Sequence, residues 1–204
     1  HYWTRRRLLE KTRALEANFP FFTRIKSKFK RHVAGKGIFP TPCTSDPDFN
    51  ARAKALFDAW ASNRYAYSID ASRDFWEDQR MVAGELGSGD GETFTLLLNS
   101  PQPITQPLDP FEIGVPWAGT VPNASFDPRF YQDGVSTDEY LRPISYLVCE
   151  LPPAGFYVLK RGREVPAEAM VHVFRRRRAK QLRGMPPLYA GVNPGHDALD
   201  RQRL

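Results

Sequence analysis

The chain has 204 residues, 41% of them hydrophobic and 13% aromatic, with a formal net charge of +6. This fits one medium domain or two small ones and excludes a disordered chain. No apolar run reaches bilayer-spanning length, which excludes a transmembrane helix, and two cysteines without paired spacing (Cys43 and Cys149) exclude a disulfide framework and fit a reducing compartment.

The charge is segregated. Residues 1–36 carry net +9, residues 160–183 carry net +7, and the remainder carries net −10. Such a chain attracts polyanions, and it also attracts copies of itself. It opens on histidine and has no signal peptide with a basic head and apolar run, so it is expected to be a piece of something longer.

In chain order, residues 4–19 predict a helix, with Thr4 as N-cap and Leu8, Thr12, Leu15 and Phe19 at helical spacing. Pro20 ends or breaks it. A basic amphipathic helix follows over 21–34. Its apolar stripe is Phe22, Ile25, Phe29 and Val33, and Gly35 suits the positive-φ position after it. A core-facing stripe with a solvated basic back is favoured there over membrane or nucleic-acid binding. A third helix is expected over 47–62, capped by Asp46, with Ala53, Leu56, Phe57 and Trp60 inward. A fourth spans 71–86 with Phe75, Met81 and Val82.

The glycine-rich stretch Gly87 to Glu92 stands after a helix and before a strand, the reverse of a dinucleotide fingerprint, and reads as a turn. Strands are predicted at 93–98, 143–148, 155–160 and 169–174, with prolines crowding their ends. The fold class is therefore α+β, a helical amino-terminal half followed by a β-rich half of short strands and Pro/Gly-rich loops.

Enzyme signatures are mostly absent. There is no phosphate-binding P-loop and no nucleophile elbow, and His1, His32, His172 and His196 lack metal-ligand spacing. His172, alternating with Val171 and Val173, reads as a hydrogen-bonded structural histidine, with Val171, Val173 and Phe174 anchoring its strand. Cys149 reads as a small buried apolar side chain. Asp138 and Glu139 read as turn residues rather than an acid/base pair. The strongest remaining signal is Arg175, Arg176, Arg177 and Arg178, followed by Lys180 and Arg183. A solvated loop, phosphate contact and pairing with an acidic protein surface all fit that cluster.

Several motifs together resemble the lambda family of bacteriophage portal proteins. Val165-Pro166-Ala167, His172-Val173-Phe174, Arg178, Gln181 and Arg183-Gly184-Met185-Pro186 match one stretch of the family. Gly134, Asp138, Arg142, Pro143 and Tyr146 match a second, the helix pair ending in Gly35-Lys36-Gly37-Ile38 is similar to a third, and Trp60 falls where the family has tryptophan. Leu141 departs from the family's glycine, Ala179-Lys180 from its Pro-Gly, and Ala34 from its valine. The resemblance covers most of the chain, which would supply less than half of a family member.

The resemblance implies a non-enzymatic structural subunit of a ring, a dodecamer in full-length form, at one capsid vertex. Its partners would be copies of itself, terminase, capsid, scaffold and neck proteins, and double-stranded DNA passing through. It implies no cofactor and no membrane, and a place in the virion and, during assembly, the host cytoplasm. Residues 1–86 would be the helical part and 87–204 the β-rich part of an outer, wing-like region. A ring of arginines lining the bore would grip DNA rather than let it slide, because each phosphate contact shifts log K by about 0.9 per decade of salt. The cluster is therefore expected at a subunit boundary, meeting carboxylates of the neighbour's 37–159 segment. The alternative function is a nucleic-acid-binding domain using Arg175–Arg178 and the amino-terminal basic helices.

Overall fold

The protein's structure, a computed structural model, describes residues 2–98, 102–114, 130–150 and 162–203. It is α+β, with helices mostly in the first half and two antiparallel sheets in the second.

Helix α1 (Tyr2–Asn18) begins before Thr4, which therefore lies in its first turn and does not cap it. Phe19 is extended, as the residue before a proline is forced to be, and Pro20 occupies the first turn of α2 (Pro20–Phe29), where its missing N–H costs nothing. The chain continues into a π-helical turn, Lys30–Ala34, closed by the Gly35 N–H on the Lys30 carbonyl at 3.0 Å. The wider turn breaks the 3.6-residue period. Phe22 is buried, but Val33, expected on the same stripe, is 65% exposed. Gly35 has φ +54, the positive value its position predicts.

Helix α3 (Pro47–Ala61) is capped by Asp46, whose Oδ1 accepts from the N–H groups of Asp48 and Phe49. The rings of Phe57 and Trp60 occupy its contact face, against Phe75 and Tyr67. Leu56 is left at the margin of that contact, 73% exposed instead of inward. After the single turn α4 (Arg64–Tyr67), helix α5 (Phe75–Ser88) opens with a reciprocal capping box between Asp74 and Glu77.

Strands β1 (Glu92–Leu98), β2 (Ile104–Leu108) and β7 (Met170–Phe174) form one sheet in the order β2-β1-β7. Strands β3 (Tyr131–Gln132), β4 (Val135–Thr137), β5 (Pro143–Cys149) and β6 (Gly162–Pro166) form the other in chain order. The expected strand at 155–160 lies outside the described residues. Phe94, Leu96, Leu108, Val135, Tyr146, Val148, Val165 and Met170 join the two sheets in one core. Each such side chain contributes about 1.5–3 kcal/mol by leaving water. Residues 145–149 of β5 are all buried, because Leu147 and Cys149 pack on the sheet's other face with Tyr131. Burial raises the Cys149 thiol to about 11, while Cys43 is exposed; both are free. The helical half has its own cluster, where Leu15 and Phe22 meet Val192 of α6 (Val192–Arg203).

The register of β7 inverts one expectation. Phe94 pairs with His172, Leu96 with Met170 and Glu92 with Phe174. Met170, His172 and Phe174 therefore share the inward face with Phe94. The valines face away, and Val171 is 42% exposed rather than anchored in the core.

The Asp138–Arg142 turn holds a residue out of its usual type. Asp138 Oδ1 accepts from the N–H groups of Tyr140 and Arg142, as a turn residue should. This closure sets Leu141 at φ +64. A side chain there costs about 1–2 kcal/mol, more than the roughly 0.5–1 kcal/mol of unfolded-state entropy that glycine adds. Leu141→Gly is expected to raise the urea midpoint, by a stability gain of about 1 kcal/mol. A lowered midpoint would contradict a strained turn.

Candidate functional site

The innermost charged group is Glu92, at the head of β1 and fully buried. Its carboxylate is saturated with donors. Arg183 reaches Oε1 through Nη2 at 2.7 Å and Oε2 through Nε at 3.0 Å. Arg5 of α1 donates to Oε1 at 2.8 Å, and the Gly184 N–H to Oε2 at 2.7 Å. His172 Nε2 lies 3.2 Å from Oε2. Arg5 also pairs with Asp133 at 2.5 Å. Arg183 spends its remaining donors on the carbonyls of Pro110 (3.0 Å), Ile113 (2.9 Å) and Asp133, and lies over the Phe94 ring. Two guanidinium and two carboxylate groups balance, which is the condition under which a buried ion network is tolerated.

Burial alone would push Glu92 upward. The charges of Arg183 and Arg5 more than reverse this and hold it well below the usual carboxylate range. Burial lowers His172 despite the pull of Glu92, so the imidazole is neutral. A carboxylate can only accept, so the ring proton sits on Nε2, and Nδ1 is left to accept from the Tyr146 hydroxyl at 3.4 Å. Phe94 and Phe174 stack on the ring, with centroids 4.1 and 4.5 Å away. His172 is held as a structural hydrogen-bonding group.

The motif residues are distributed around this centre. Gly134 has φ +86 and leaves no room for a Cβ beside the Gly114 backbone, and its carbonyl accepts from the Leu147 N–H. Tyr146 and Val165 face each other across β5 and β6, both buried. Pro143 opens β5, Arg142 is exposed and Pro166 ends β6, with Ala167 starting a single 3-10 turn into β7. Pro186 is fully buried.

Arg183 separates from the other cations of its cluster. It is buried and committed to Glu92, so it has nothing to offer a neighbour, and the outward-facing set reduces to Arg175–Arg178 and Lys180, all exposed. Their loop is closed from inside. Gln181 Oε1 accepts from the N–H groups of Arg177 (2.8 Å) and Arg178 (3.3 Å), and its Nε2 donates to the Arg183 carbonyl at 2.7 Å. The turn through Ala179-Lys180 forms without the family's Pro-Gly, with the Gln181 N–H on the Arg178 carbonyl. The guanidinium of Arg176 lies 6.0 Å from the Phe174 ring, and that of Arg177 lies 5.7 Å from Tyr189. Among the described residues no carboxylate pairs with any of these five cations.

Sequence reasoning missed Glu92, Arg5 and Asp133. A signal for Glu92 existed, since it is in phase with Phe94 and Leu96 on the inward face of β1. The basic amino-terminal block concealed the other use of its cations. Arg5 is buried, Arg13 is chelated by Asp90 and Asp109, and Lys26 bridges Glu16 and Glu85. Among the described residues no cluster of three or more potential ligands could hold a metal ion, and no helix is long and apolar enough to cross a membrane.

The family model for phage portal protein, lambda family, matches residues 2–202. A search of curated proteins returned no match.

Proposed function

The chain belongs to the lambda family of phage portal proteins, structural components of the virion, and on that premise we propose that it is the outer, wing-like part of one protomer in a closed ring around a DNA channel. Residues 1–86 supply its helical portion, against which α6 packs through Val192, and the rest of 87–204 its β-rich portion. The ring, a dodecamer when the polypeptide is full length, nucleates the capsid vertex during assembly in the host cytoplasm. It docks terminase and later the neck, and it lets DNA through without chemistry of its own.

The observation that supports a subunit boundary at the arginine loop is its unspent charge. Arg175–Arg178 and Lys180 are exposed, held in a closed turn by Gln181, and without a carboxylate partner among the described residues. Closed rings require one face to meet a different face of the next copy. The acids of the 37–159 segment offer such a face around a cleft of about 380 Å³, where Asp70 and Glu112 stand beside the pairs Asp78–Arg73 and Asp109–Arg13. Complementary charge of this kind sets register more than raw affinity.

Reversing Arg176 and Arg177 to glutamate in the full-length protein is expected to abolish annular particles in negative-stain images while leaving the protomer folded by circular dichroism. Undisturbed rings would overturn the boundary assignment.

A further inference from the structure

A second basic surface lies on the helical half, and neither the ring nor the arginine loop accounts for it. It is a cleft of about 500 Å³ lined by Ser27, Lys30, Arg31, Gly35, Lys36 and Arg80. These residues come from α2, from the π-helical turn, from the segment after it and from α5. Among the described residues none of the four cations has an ion-pair partner, although Lys26, one turn earlier, is bracketed by Glu16 and Glu85.

The cations are held there by construction. The Ile38 N–H donates to Gln79 Oε1 at 2.6 Å, and Gln79 Nε2 returns a bond to the Ile38 carbonyl at 3.4 Å. Gln79 is the neighbour of Arg80 on α5. Gly37, at φ +114, lets the chain lie against Trp76 where a Cβ would collide with the ring, and Phe39 packs on the same indole at 4.4 Å. These contacts clamp the segment carrying Lys36 beside Arg80. The Lys30 stem is fixed too, because it packs over Gly84, where a Cβ would come within 2.7 Å. Four like charges around one cleft repel within a Debye length of about 8–10 Å, and an anion between them relieves that cost.

We propose that this cleft binds phosphate groups. Two ammonium and two guanidinium groups are a donor set that phosphate oxygens take, while the Ser27 hydroxyl and the Gly35 N–H are spent on the Thr23 and Lys30 carbonyls. The proposal does not depend on ring assembly. The phosphate is either a free polyphosphate or the backbone of a nucleic acid, and the same measurement separates the two.

Lysine acetylation of the intact protein, followed by mass spectrometry, reads the site directly. With tripolyphosphate, or with a DNA duplex of about 20 base pairs, Lys30 and Lys36 are expected to acetylate several-fold more slowly, while exposed Lys11, Lys28 and Lys54 keep their rates. Protection by tripolyphosphate alone assigns a free anion. Protection by the duplex at lower concentration, weakening between about 50 and 200 mM salt, assigns a nucleic-acid backbone. In the second case Arg31→Gln with Lys36→Gln, both exposed positions, reduces the salt slope by about two. Equal protection of all lysines, protection of none, or protection by polyglutamate as strong as by either phosphate probe would overturn the proposal.

Discussion

Replacing Glu92 with glutamine is expected to destabilise the fold by about 3–5 kcal/mol, the cost of leaving buried guanidinium groups without their counter-charge. The amide keeps the shape of the side chain, removes the charge and turns one acceptor oxygen into an NH2 that faces donors, since both carboxylate oxygens accept. Arg5 retains Asp133, but Arg183 retains only neutral carbonyls and an aspartate 3.8 Å away. Urea unfolding of the variant against the parent measures the loss, and a difference below about 1 kcal/mol would mean that the network is not the keystone its geometry implies.

The same centre sets the acid limit of the protein. Glu92 and His172 both have folded-state values held below their ordinary ones, near 4.5 and 6.5. The unfolded chain therefore takes up these protons first. Stability is full above about pH 6.5 and starts to fall as unfolded His172 protonates. It falls more steeply below pH 4.5, where Glu92 is protonated only in the unfolded chain. Asp90 and Glu112 act in the opposite sense, because burial raises both, and protonating them on the way down favours the folded state. The urea midpoint measured from pH 8 to pH 3 should thus decline in the parent, and Glu92→Gln should lose the steep lower limb.

Gly184→Ala is the second large effect. The chain crosses itself here, with Gly91-Glu92 against Gly184-Met185. A Cβ on Gly184 would lie 2.4 Å from the Gly91 carbonyl oxygen and 2.5 Å from Glu92 Cβ. One on Gly91 would lie 2.0 Å from the Met185 carbonyl, at φ +80. Neither contact can be relieved by rotating a side chain. The backbones must separate, and the first bond to stretch is the Gly184 N–H to Glu92, a charge-assisted bond of 2.7 Å. Overpacking costs about 1–3 kcal/mol and the lost bond about 1.5–3 kcal/mol more, so a total near 3–5 kcal/mol is expected. Gly191→Ala is the comparator, since nothing lies within 4 Å of its added Cβ. It should stay within about 0.5 kcal/mol of the parent. Equal thermal midpoints for the two variants would disprove the crossing.

Much of the architecture was legible because it is local. Asp46 before Pro47, Pro20 between two apolar stripes, and the alternation in Thr93–Leu98 each name their element without reference to anything distant. The failures have a common form. Val33, Leu56 and Val171 were expected inward, and each is exposed because something outside its own periodicity decided its direction. For Val33 it is the π-helical turn, for Leu56 the aromatic contact with α5, and for Val171 the register against β1. The candidate site was legible only in part. The arginine run was evident from sequence, but the division between an inner Arg183 and an outer Arg175–Arg178 was not, since a cation's neighbours are set by folding.

The order of residues alone determined an α+β chain with capped helices, short strands and separated blocks of charge, because caps, periodicity and composition act over a few residues. Only the tertiary structure decided which charges are consumed. Arg5, Glu92, Asp133 and Arg183 are far apart in the chain and meet solely through packing. Once buried they must neutralise one another, since the interior tolerates no isolated charge. The arginine loop and the α2–α5 cleft, left on the outside, belong to the part of the basic sequence that the fold did not use.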